Sequence, residues 1–97
     1  MLGWFDSKQA EEFGNVLGQY LIDRMSTDKK LSASKFAAKT ESVLLRMELQ
    51  VRSFKQKEKL NFYKTAKLVN AFRWKLKDAG YDEAFIEKLV EWLLSHT

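Results

Sequence analysis

Residues 61–81, NFYKTAKLVNAFRWKLKDAGY, begin like a helix, end like one and carry apolar residues on two separate faces. At a period of about 3.6 residues per turn, Phe62, Thr65, Leu68, Val69, Phe72, Leu76 and Ala79 share one stripe, the expected core side. Nearly opposite lie Tyr63, Lys67, Asn70 and Trp74, with Lys64, Ala66, Ala71 and Lys77 beside them, a face that mixes large aromatics with cations. Asn61 is a good N-cap, because its side-chain oxygen can accept from amides left free in the first turn. Gly80 suits the left-handed residue that closes a helix, with Tyr81 placed to fold back on the last turn. A helix with two apolar faces cannot lie simply on a surface, so the rest of the chain is expected to cover it.

Working outward, the chain reads as one small compact four-helix bundle, all-α, with helices over about 7–25, 33–58, 62–79 and 83–95 in a single domain. The absence of proline from all 97 residues favours uninterrupted helices. In the first, Asp6 reads as N-cap with Gln9 completing a capping box, and Phe5 as a staple onto Ala10. Its stripe is Ala10, Phe13, Val16, Leu17, Tyr20, Leu21 and Met25. Gly14 and Gly18, one turn apart, each cost a helix about 1 kcal/mol relative to alanine. Close approach of another helix backbone is the reason expected for them.

The second helix starts at Ser32 or Ser34 and places Phe36, Thr40, Val43, Leu44, Met47, Val51 and Phe54 on one stripe. A smaller strip, Ala38, Leu45, Leu49 and Leu60, lies on its other side. Either the chain itself or a second copy in a homodimer is expected to cover that strip. A break at Leu60 and Asn61 is expected, since one helix through to Asp78 would be far longer than small domains use. The last helix is capped by Asp82 and buries Phe85, Ile86, Leu89, Val90, Trp92 and Leu93; it forms a helical hairpin with the third. The second and third helices are expected to supply most of the core, with the first and last as covers.

The net charge of +4 conceals a sharper division. Residues 1–28 carry −3, residues 29–77 carry +11 and residues 78–97 carry −4. Such asymmetry points to a polyanion partner for the middle or to complementarity between middle and ends. No apolar run is long enough for a membrane span, and the N-terminal residues lack the order of a secretory signal, so a cytoplasmic location is expected.

Catalytic chemistry is thin. With no cysteine and His96 the only histidine, the usual pairs of base and nucleophile are missing, and no phosphate loop, nucleophile elbow or zinc spacing is present. Glu83, Glu87 and Glu91 form a carboxylate ladder that reads as a solvated helix face rather than a metal site. No cofactor and no metal are expected. A DNA-reading helix-turn-helix is excluded as well: its recognition helix would be EAFIEKLVEWLL, whose glutamates phosphate would repel.

The basic centre remains. Lys55, Lys57, Lys59, Lys64, Lys67, Arg73, Lys75 and Lys77 surround Tyr63 and Trp74, a combination that holds phosphates by charge and unpaired bases by stacking. The candidate binding face is Tyr63, Lys64, Lys67, Asn70, Trp74 and Lys77. It implies a noncatalytic binding module for a nucleic acid or an acidic protein. The bland alternative is a structural or oligomerising helical protein whose lysines are ordinary surface.

Overall fold

A computed structural model describes residues 6–25 and 32–97. They form four helices: α1 Lys8–Met25, α2 Ala33–Lys57, α3 Phe62–Asp78 and α4 Glu83–His96, with no strand among the described residues. Every helix boundary that falls within these residues lies within a residue of its sequence reading.

The ends form for local reasons. Ser32, Asn61 and Asp82 each accept a hydrogen bond from the backbone amide three residues on, at 3.3, 2.8 and 3.3 Å. The break between α2 and α3 thus falls at Asn61, as read. At the end of α3 the amide of Gly80 donates to Lys77 O and that of Tyr81 to Leu76 O, while Gly80 takes φ +87°, which satisfies two carbonyls the helix leaves open. The start of α1 differs from its reading. Asp6 accepts from the amide of Lys8, and it is Ser7, not Gln9, that closes the turn, donating its buried hydroxyl to the Glu11 carboxylate at 2.7 Å. The staple from Phe5 lies outside the described residues.

The bundle's tightest pair is α1 with α3, which run parallel. Gly14 and Gly18 make this possible. A Cβ on Gly14 would collide with the carbonyl oxygen of Leu68, and one on Gly18 would stand 2.9 Å from Cβ and Cγ of Lys75. The close helix approach read from the two glycines is therefore present, and its partner is α3. Next, α4 returns antiparallel along α3, fastened by Arg73 to Glu87, and α2 closes the ring between α1 and α4.

Since α2 and α3 stand diagonally, with no close backbone approach among the described residues, the expected sharing of the core is corrected. Of the 25 residues of α2 only Val43, Met47 and Val51 are buried. The buried apolar residues are instead shared almost evenly, with α1, α3 and α4 giving four each and α2 three.

Four further residues depart from their readings, the first being Ala79, expected on the core stripe but exposed at the C-cap of α3. Val16 is 57% exposed, because the buried side of α1 is rotated toward its glycines, which seat the α3 backbone yet add nothing to an apolar stripe. Phe62 is 90% exposed. It occupies the first turn of α3 on the side that faces α4, and in the register set by Arg73 and Glu87 α4 stops at His96 before reaching it. Leu60, assigned to the outer strip of α2, turns inward and packs against the core.

Candidate binding face on the third helix

With α1 seated on one flank of α3 and α4 on the other, one side of the helix is left outward. Tyr63, Lys67, Asn70, Trp74 and Lys77 occupy it, at successive spacings of four, three, four and three that keep them in line along the axis. Trp74 is 59% exposed, Asn70 and Lys77 are exposed, and Tyr63 and Lys67 are half-buried. Five of the six residues of the sequence-derived face therefore come together.

Lys64 does not belong with them. It is only 8% exposed, and its Nζ lies 3.3 Å from Oε1 of Glu58 at the end of α2. Its position on the helix turns it toward α1, so its long stem is enclosed and its charge is met inside the connection between α2 and α3. Its ammonium is thus held at that connection and does not share the outward face.

The face carries one unit twice. The ammonium of Lys67 lies 5.4 Å from the centroid of the Tyr63 ring, and that of Lys77 lies 5.0 Å from the Trp74 ring. Both are cation-π distances. The rings are eleven residues apart, about 16 Å along the axis. Between them Asn70 Oδ1 accepts from Arg73 at 3.2 Å, and Arg73 forks onto both oxygens of Glu87 at 3.0 and 3.2 Å.

The acids of this region are thus taken up by particular cations. Glu58 meets Lys64 and Glu87 meets Arg73. Lys67 and Lys77 rest on rings instead, so their charge is not cancelled by a salt bridge within the described residues. The hydrogen bond from Arg73 holds the Glu87 carboxyl below its ordinary range, with smaller Coulombic help from Arg73 and Lys77. Glu87 is accordingly a clamp between α3 and α4 rather than one rung of an idle ladder.

Two features were not legible in advance. Phe13 and Phe54, both read as core, stack at 4.3 Å with their planes 4° apart and floor an open groove of about 400 Å³ between α1 and α2. On the other flank of the same stretch of α2, toward α4, Ser95, His96 and Glu48 come together, His96 Nδ1 being 3.1 Å from Ser95 Oγ and Nε2 3.6 Å from Glu48. The serine hydroxyl, however, donates to Trp92 O at 2.6 Å, and the same carbonyl lies 2.8 Å from Nδ1. The hydroxyl hydrogen is directed at a carbonyl and not at the imidazole, so the group fastens α4 to α2, assisted by Lys55 donating to His96 O at 2.9 Å.

Comparison of the chain with protein-family models, with curated proteins and with solved structures gives no match.

Proposed function

We propose that this chain is a noncatalytic binding module and that the outward face of α3 holds single-stranded nucleic acid. The observation that carries the reading is Trp74, a tryptophan exposed over more than half its surface with a lysine against its ring that makes no salt bridge among the described residues, repeated three turns earlier by Tyr63 and Lys67. An exposed indole offers a stacking surface that any base fits, and the two ammonium groups supply the attraction for phosphate. Base pairing in a duplex would hide the faces that such rings recognise, which favours unpaired strands over duplex.

The test is titration of a labelled single-stranded oligonucleotide into the full chain carrying Trp4→Phe and Trp92→Phe, with the fluorescence of Trp74 as readout. Binding should quench the indole and weaken steeply with salt as condensed counterions are released. Trp74→Ala, followed by the oligonucleotide's label, should lose about 1 to 3 kcal/mol. Binding unaffected by Trp74→Ala, or no binding at low salt, would sink the proposal. Capture of an acidic peptide but not of the oligonucleotide would move the partner from nucleic acid to protein.

A second reading, self-association, has its own observation. Leu45 and Leu49 on the outer side of α2 are each 63% exposed, more apolar surface than a solvated helix face ordinarily offers.

A further inference from the structure

Leu45, Leu49 and Ala38 form a ridge along α2 that faces away from its buried residues Val43, Met47 and Val51. We propose that this ridge is the contact of a two-fold dimer in which α2 lies antiparallel to α2 of a second copy. The proposal rests on the self-association reading and names its geometry.

Charge placement selects both the occupant and the direction. Glu41 and Arg52 are eleven residues apart, about 20° beyond three full turns, so both stand on one edge of the ridge. A two-fold axis perpendicular to the helices maps that edge onto the same edge of the partner with its direction reversed. Centring the axis between Leu45 and Leu49 puts each leucine opposite the other leucine of the partner. The same pairing brings Glu41 to the partner's Arg52 with an axial offset of about 1.5 Å, one residue's rise. The contact is made twice, once at each end.

On the opposite edge Ser42 and Ser53 meet in the same manner, and their small side chains permit close approach. A parallel pairing, whose two-fold axis runs along the helices, would instead lay the Glu41 and Arg52 edge against the partner's serine edge and leave neither charge facing an opposite one. Arg52 already holds Glu48 of its own helix at 2.8 Å, and its planar fork has donors enough for a second carboxylate. Only a copy of this chain is complementary to the ridge by symmetry alone. Because α2 and α3 are diagonal, the dimer leaves both α3 faces outward on opposite sides, where one long strand could engage two sites with avidity.

The test is sedimentation of the full chain across micromolar concentrations. A reversible dimer is expected. Leu45→Lys should weaken it on the order of tenfold or more, since a leucine would be lost at two symmetric places. Glu41→Arg and Arg52→Glu should each weaken it alone and, combined in one chain, restore it. These side chains are exposed, so circular dichroism should show unchanged helix in every variant. A chain that stays monomeric throughout overturns self-association altogether. A dimer insensitive to Leu45→Lys overturns the ridge, and one that the combined charge exchange does not restore overturns the antiparallel register.

Discussion

Gly14→Ala should destabilise the protein even though it puts the best helix former in place of one of the worst. Helix propensity alone would favour the change by about 1 kcal/mol. Against this stands the carbonyl oxygen of Leu68, which the new methyl would meet, with Ala71 Cβ 3.0 Å away on the same side. A side chain could rotate aside, but a carbonyl held in a helix can yield only if α1 and α3 separate. That separation loosens Leu17, Leu21, Leu68 and Phe72, all fully enclosed. Overpacking ordinarily costs about 1 to 3 kcal/mol, and a backbone obstacle belongs at or above the upper end. The expected net loss is about 2 kcal/mol. With a slope of about 1 kcal/mol per molar for a small domain in urea, the unfolding midpoint should fall by about 2 M. Gly18→Ala should also lose stability but less, because its methyl would meet Cβ and Cγ of Lys75 at 2.9 Å rather than a carbonyl oxygen, and of these atoms only Cγ can swing aside. An unchanged or raised midpoint for Gly14→Ala would refute the close packing of α1 on α3.

Removal of Glu58 should cost about 1 to 2 kcal/mol by leaving the Lys64 ammonium enclosed and unpaired, whereas Lys64→Met, which keeps the stem and removes the charge, should be nearly neutral in the same urea unfolding assay. Equal losses from the two changes would show that the pair itself is the source of stability. Phe72→Ala should cost about 3 to 5 kcal/mol and Phe62→Ala almost nothing, a contrast measurable by thermal unfolding and reversed if Phe62 were core. Glu87 should titrate below the ordinary glutamate range in a carboxyl NMR experiment, and Arg73→Gln should return it toward that range. Because its folded pKa is depressed, its contribution is present above the unfolded value of about 4.3 and is lost as pH falls through the folded one. A midpoint that ignores Arg73→Gln would refute the clamp.

The residues that announced themselves in the sequence were those whose chemistry acts within one turn: Asn61 and Asp82 as caps, Gly80 as the left-handed terminus. The stripe of α3 from Leu68 to Leu76 was legible too, since apolar spacing carries over directly into burial. Legibility failed where burial depends on which neighbour arrives and how far it extends. Phe62 has the spacing of a core residue but no helix beside it among the described residues, and Val16 was displaced by glycines that an apolar count ignores. At the candidate face, charge and periodicity grouped five residues that share the outward side of α3. They could not separate Lys64 from Lys67, because the two differ only in whether α1 and Glu58 stand over them.

The parallel union of α1 with α3 also governs the order in which the chain can assemble. Gly14 and Leu68 are separated by the whole of α2, and closing a loop of that length costs about 3.5 kcal/mol beyond the constant term. The turn between α3 and α4 closes the short path from Arg73 to Glu87 for about 2.3 kcal/mol on the same scale. The C-terminal hairpin is therefore the cheaper beginning, and α1 docks late. At ribosomal speeds of about 5 to 20 residues per second, α1 waits about 3 to 11 s after its own synthesis before its seat on α3 exists. For that interval its glycine track and the leucines beside it stand open to water, so of the four helices α1 is the one whose main partner is made longest after it.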